Sequence, residues 1–261
     1  MEICAVAKQS DERATTAIAS FDADDVFIRG KNLVDDLIGH YSFTQLMLLQ
    51  ALGEEPTEAQ CRIVDAVMVT IMEHGLVPSA IVTRLTRYGA PESFQGAVAA
   101  GLLGVGDRYA GTASECGEIL ERIVAAPEAE RKQRALAEVT AYREAKRPVP
   151  GFGHPIHSEH DRRVNRLIEV CQAAGAGGEF IAAMTLVEEA LSEVLNKRLV
   201  TNISAAIGAV LAEAGVPSSM MRGIVLTARC AGLVGHLQEE MNNPAGHALW
   251  VGAQGGVDPA G

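Results

Sequence analysis

Two capping boxes in quick succession, Ser42-Phe43-Thr44-Gln45 and Thr57-Glu58-Ala59-Gln60, constrain this chain more than any other feature. In each, the hydroxyl satisfies an orphan backbone N–H of the first helical turn while the glutamine returns the bond to the cap residue, so each opens a helix. Gly53 and Pro56 separate the two. The same punctuation continues along the chain. Ile63, Val64, Val67, Met68 and Ile71 share one helical face, and that helix is predicted to stop at His74-Gly75, where glycine permits a left-handed end. Pro78 opens a segment to about Tyr88, and Pro91-Glu92 opens one that runs to the Gly104-Val105-Gly106 break. Thr112 is expected to cap a helix through Ile123, and Pro127 to start a charged one through Glu144. Asp161 reads as the N-cap of a helix bearing Val164, Leu167, Ile168 and Cys171, which Gly175 to Gly178 ends. Phe180–Leu195, Ile203–Ala214 and a long helix from Pro217 to about Glu240 follow, and beyond Asn242 the chain reads as loop and tail.

Composition agrees with an all-α protein. Of 261 residues, 48% are hydrophobic but only 4% aromatic, so packing must come from small and aliphatic side chains on helices. The first thirty residues mix turn and polar signals with a short extended piece, Val26-Phe27-Ile28, ending at Arg29-Gly30. A net charge of −11 excludes a general nucleic-acid or anionic-membrane surface, so an anionic ligand would need a local cluster of arginines. No run is long enough to span a bilayer. The start from Met1 to Ala7 is mostly apolar and Lys8 to Arg13 polar, without a signal-peptide pattern, and five scattered cysteines without CxxC spacing suit free thiols in a reducing compartment. The expected location is cytoplasmic.

One segment breaks the helical rhythm. Lys146-Arg147-Pro148-Val149-Pro150 is too rich in proline for a helix, and it leads into Gly151-Phe152-Gly153-His154, with Asp161-Arg162-Arg163 beyond. A histidine on a glycine turn and a guanidinium nine residues later, just inside a new helix, are placed to converge on one small polyanionic ligand.

These residues resemble those of citrate synthases, and more closely the citryl-CoA lyase module of ATP-citrate lyases. The resemblance runs from about Ile28 to Gly235 and is most specific from Gly151 to Arg163. It is supported by Glu73-His74-Gly75, by Gly106-Asp107-Arg108-Tyr109-Ala110-Gly111, by Asn202-Ile203-Ser204 with Ile207-Gly208, and by Arg229 to His236. It implies an all-helical, two-domain homodimer: a large domain from residues 1–111 and 209–261, and a small domain from 112–208. Between them the resemblance places a coenzyme A thioester beside a di- or tricarboxylate. By the same carry-over His154 bonds the oxygen at the carbon being made or broken, His74, Arg163 and Arg229 hold carboxylates, and Pro150, Gly151, Phe152 and Gly153 approach CoA. Two guanidinium forks would offset the repulsion between carboxylates, and a histidine at a helix C-terminus is biased toward its cationic form.

The departures from the family carry information. Tyr109 stands where citrate synthases have a histidine and the lyase module an aromatic residue, which points to the lyase side. The family's catalytic aspartate falls at Ser204, and a serine is no carboxylate base at neutral pH. Glu73 and Asp107 are the nearest acidic residues by motif position. A basic residue that many citrate synthases place against a CoA phosphate is Ser158 here, and Lys146, Arg147 or Arg162 would supply that charge. The implied activity is citryl-CoA lyase-like cleavage of a 3-hydroxy-3-carboxyacyl-CoA to an acyl-CoA and a 2-oxo acid. The alternatives are the condensing reaction, or a non-catalytic CoA-ester or carboxylate binder on the same scaffold. His154, His157 and His160 recur every three residues, but Pro155 opposes the helix that would align them and neither cysteine nor carboxylate completes a set, so no metal is expected.

Overall fold

The structure, a computed structural model, describes residues 14–107, 112–153, 161–196 and 199–258. The chain divides into two units after Pro56. In the first, a three-stranded antiparallel meander comprises β1 (Ala19–Phe21), β2 (Val26–Ile28) and β3 (Lys31–Asn32), with Ala19 opposite Ile28 and Phe27 opposite Asn32. The Asp22 carboxylate accepts from Asp24 N and Asp25 N and so makes the first turn, while Arg29 and Gly30, both at positive φ, make the second. A π-helical turn, Leu33–Leu37, leads to α1 (Phe43–Leu52). Ser42 forms the expected capping box, and Gly53, at φ 82°, ends the helix in the left-handed region.

The described residues of the second unit form helices joined by turns and loops: α2 (Glu58–Ile71), α3 (Pro78–Gly89), α4 (Phe94–Leu103), α5 (Thr112–Val124), α6 (Arg131–Glu144), α7 (Arg162–Ala173), α8 (Glu179–Leu195), α9 (Ile203–Glu213), α10 (Ser218–Asn242) and α11 (Gly246–Gly255). Both capping boxes and the Asp161 cap form as the sequence predicts. The charged helix after Pro127 begins one 3₁₀ turn late, with Glu128–Glu130 preceding α6.

Two expectations are overturned. Helix α2 ends at Ile71, not at His74-Gly75, because the Glu73 carboxylate accepts from the backbone N–H of both His74 and Gly75 and holds them in a separate turn. His74 therefore has no helix C-terminus behind it. The segment beyond Asn242 is not loop and tail but contains α11. Its glycines argue against a helix locally, yet tertiary contacts overrule them. The Glu240 carboxylate accepts from Ala245 N and Gly246 N at the start of α11, and the helix packs on α3 with Tyr88, His247 and Trp250 in ring contact.

Helix α9 is the hub. Every one of its residues is buried except Ser204 and Glu213, and it packs against α2, α5, α7, α8 and α10. Small residues make this possible: a Cβ on Gly208 would stand 3.0 Å from both Ala113 O and Cys116 Cβ on α5. The low aromatic content thus has a structural use, since bulky rings would hold these axes apart. Ile119, Leu120, Ile123, Val139, Val187 and Leu191 join α5, α6 and α8 to the same core. Among the described residues the thiols of Cys61, Cys116, Cys171 and Cys230 are free, and no single helix is long and apolar enough to cross a membrane.

Candidate active site

The first part of the site is the glycine loop docked on the start of α9. Gly151 has a φ of 84°, and a Cβ there would fall 2.5 Å from Cys116 Sγ and 2.7 Å from Ala205 Cβ, so only glycine fits. Phe152 pairs with Thr201 across an isolated antiparallel bridge, Gly153 N donates to Val200 O at 2.8 Å, and Asn202 N donates to Gly151 O at 2.9 Å. The Asn202 side chain does two further things. Its Nδ2 donates to Gly153 O at 3.0 Å, and its Oδ1 caps α9 by accepting from Ser204 N at 2.9 Å. One side chain thereby fixes the residue before His154 against the turn that carries Ser204, fifty positions later in the chain. His154 and Tyr109 themselves lie outside the described residues. Pro150 and Gly151 are buried, leaving Phe152 and Gly153 as the partly exposed members of the loop.

Gly151→Ala is expected to cost about 2–4 kcal/mol, from a left-handed alanine together with overpacking against two neighbours. Cys116→Ala in the same chain should recover only part, because Ala205 still stands in the way; full recovery in a denaturant titration would mean the loop has moved off α9.

The second part lies on α10. Arg229, Gly232 and His236 share one helical face, and the turn after α2 docks there. A Cβ on Gly232 would sit 2.1 Å from Met72 O and 3.3 Å from Glu73 Oε2, so the glycine admits the Met72-Glu73-His74 backbone to the helix. Arg229 is only 9% exposed, yet its guanidinium makes no hydrogen bond or ion pair with any described residue. Burial pushes its pKa down from its ordinary value, and the nearby negative charge of Glu73 opposes that shift. Because arginine does not deprotonate in proteins, a largely buried cation is left with the nearby Glu73 charge but no hydrogen-bonded anion among the described residues, a place that an external anion would complete. The structure thus brings the His74 turn and Arg229 together.

Arg163 is placed differently. Its Nε and Nη2 donate to the two Asp161 oxygens at 3.0 and 2.7 Å, a bidentate pair with the cap of its own helix. Arg147 is exposed, 3.5 Å from Glu115 and over the Tyr142 ring, and the neighbouring Lys146 takes a left-handed backbone at φ 53°. Of the two acidic residues near the motifs, Asp107 is exposed and paired with Arg222 at 2.5 Å. For Glu73, burial works to raise the carboxyl, but the N–H groups of His74 and Gly75 and the His236 ring together hold it below the usual carboxylate range. Both carboxylates are thus engaged by partners of this chain. Ser204 is half-buried in the first turn of α9. Sequence reasoning noted Asn202 only as part of a motif. The signal for its clamping role was an asparagine at the N-cap position of an apolar run.

The profile of the citrate synthase C-terminal domain matches residues 11–249 of the chain. Among solved structures, the fold is similar to that of a citryl-CoA lyase from Hydrogenobacter thermophilus. The TM-score is 0.79 and the identity 31%, covering 89% of this chain and 88% of the other. It is also similar to an ATP citrate lyase from Methanothrix soehngenii in complex with citrate and coenzyme A, at TM-score 0.74 and 21% identity, covering 90% of this chain but 40% of that one. A third likeness is to the citrate synthase of Thermotoga maritima, at TM-score 0.63 and 19% identity, over 85% and 57% of the two chains. No curated protein sequence matches the chain.

Proposed function

The chain belongs to the citrate synthase family, and on that premise we propose that it cleaves a 3-hydroxy-3-carboxyacyl-CoA, in the manner of citryl-CoA lyase, to an acyl-CoA and a 2-oxo acid. The observation that carries this reading is the buried, unpartnered guanidinium of Arg229 beside the His74 turn, a ready site for a carboxylate. Arg163, turned from Asp161, supplies a second fork. His154, at the end of the clamped loop, polarises the hydroxyl oxygen as it becomes a carbonyl. The hydroxyl proton passes to the His154 ring, the carbon–carbon bond breaks, its electron pair passes to the acyl-CoA enolate, and solvent supplies the proton that the enolate takes up at carbon. Residues 112–208 act as the small domain of a homodimer in this reading, closing over the enolate to exclude water.

Ser204 favours cleavage as the observable chemistry. In condensation a carbon proton must leave before the new bond forms, and no group in the first turn of α9 is a base for it. In cleavage the bond breaks first, so the 2-oxo acid is produced in a step that a missing carboxylate does not limit. Protonation of the enolate and deprotonation of the acyl-CoA share one transition state, so a missing carboxylate slows both by the same factor, and the intrinsically uphill deprotonation remains much the slower of the two. The Ser204 hydroxyl and the amides of the α9 N-terminus instead offer hydrogen bonds to an enolate oxygen.

Single-turnover mixing of the protein with citryl-CoA should therefore release oxaloacetate promptly, while exchange of acetyl-CoA α-protons with deuterated solvent stays near background. Ser204→Asp is expected to raise that exchange at least about tenfold, part of the roughly 10²–10⁴-fold that a placed base supplies. Absence of oxaloacetate release, alongside calorimetric binding of citrate, would overturn the lyase reading in favour of a carboxylate-binding protein on the same scaffold.

A further inference from the structure

The Arg229 guanidinium has no hydrogen-bonded partner among the described residues, although a carboxylate, that of Glu73, lies near enough to bias its charge. What keeps the two apart is visible in the neighbouring contacts. Glu73 Oε1 accepts from His74 N at 2.8 Å and Gly75 N at 2.6 Å, and Oε2 lies 3.0 Å from His236 Nε2. That last contact is misaligned for a hydrogen bond, so it acts through the polarity of the ring. The His236 ring is itself held. Its Nδ1 accepts from Arg84 Nε at 3.0 Å, which puts a proton on Nε2, facing Glu73. Arg84 is 3% exposed and is fixed in turn by Glu240 at 2.8 Å and by Glu239.

From this arrangement we infer that His236, oriented by Arg84, is a positioning residue that holds the Glu73 carboxylate off Arg229 and so keeps the anion site open. The inference rests on the reading of Arg229 as a carboxylate ligand. Glu73 is the built-in competitor for that site. With His236 in place the carboxylate is engaged by His74 N, Gly75 N and the imidazole; without the ring, Oε2 is released to turn toward the largely buried guanidinium, which has no hydrogen-bonded partner among the described residues. Neither His236 nor Arg84 touches the substrate in this scheme. Their role is to decide which of two anions, one internal and one external, Arg229 receives.

Two measurements test it. In calorimetric titrations with citrate, His236→Phe, which keeps the ring volume but removes both nitrogens, should weaken binding about tenfold or more. His236→Gln, which retains an N–H donor, should stay close to wild type. Glu73→Gln added to His236→Phe should restore affinity, because an amide does not compete for the guanidinium. Glu73→Gln alone should bind about threefold tighter through removal of a nearby like charge to the ligand. A purely structural role for His236 would leave the double variant as weak as the single one, and that result overturns the inference. The second measurement needs no ligand: a crystal structure of His236→Phe should show Glu73 paired with Arg229 within 4 Å, and a carboxylate still held by His74 N and Gly75 N overturns the inference. Should His236→Phe fail to fold, Arg84→Lys gives the same two tests with the ring retained but its orienting Nε bond removed. If wild-type protein binds no citrate, the proposed function fails, while the crystallographic comparison still decides the role of His236.

Discussion

Arg229→Met is expected to give a protein that is more stable than wild type and far less able to bind its ligand. The two effects have one cause. In the ligand-free protein the guanidinium is largely buried with no hydrogen-bonded partner among the described residues and only the nearby Glu73 charge to offset it, so a methionine of similar length removes a poorly compensated charge and keeps the apolar packing of α10. Apolar replacement of buried ionic groups stabilises by about 1–4 kcal/mol where the charge is poorly compensated, which for a chain of this size moves Tm by roughly 2–4 °C per kcal/mol. With substrate present the balance reverses. The carboxylate loses a charge-assisted, desolvated partner, a change that costs about 3–4 kcal/mol, so kcat/KM for citryl-CoA should fall about 10²- to 10³-fold. Thermal melts and steady-state kinetics on the same preparation check both halves. A variant that melts several degrees lower and binds citrate as before would show Arg229 to be a structural arginine.

Glu240→Ala should have the largest effect on folding. The carboxylate is 5% exposed, pairs with the buried Arg84, and accepts from Ala245 N and Gly246 N. Removing it takes from Arg84 its one buried carboxylate, leaving the exposed Glu239, and uncaps α11 together, for a loss of about 3–5 kcal/mol. The pH dependence follows from the same bonds. Burial works to raise the Glu240 carboxyl, but the two backbone donors and Arg84 outweigh it and hold its pKa below the ordinary 4.5. A depressed folded-state value means that this stabilisation is fully present above about pH 4.5 and is lost as the pH falls through the lower folded value. Wild-type stability should therefore drop more steeply with acid than that of Glu240→Ala. The only tryptophan in the chain, Trp250, lies on α11 and reports its release by a red shift in emission. Emission unchanged in Glu240→Ala at neutral pH, with a normal melting temperature, would remove Glu240 from the account of how α11 is held.

Several features of the site were legible in advance because they depend on near neighbours in the chain. The Ser42, Thr57 and Asp161 caps are set by a side chain and a backbone N–H two or three residues apart, and they form where the residues predict. Gly53 and Gly75 have the positive φ that their turns require. The motifs also picked out Arg229 and the loop ending at Gly153. What the motifs did not contain was the neighbourhood. That Arg163 is paired with Asp161 while Arg229 has no hydrogen-bonded partner among the described residues, and that Glu73 faces His236, depends on which side chains meet across helices.

The sequence by itself determined the helices, their capped starts and the family, because periodicity, turn chemistry and motif order are short-range properties written along one dimension. Tertiary structure alone decided that α11 is a helix despite its glycines, that His74 sits in a turn rather than on a helix end, and that Asn202 clamps the loop before His154 to the turn of Ser204. The physical reason is that a buried charge or backbone group must find its partner wherever packing places one, and residues 84, 202 and 240 meet theirs across distances in the chain that no local pattern encodes.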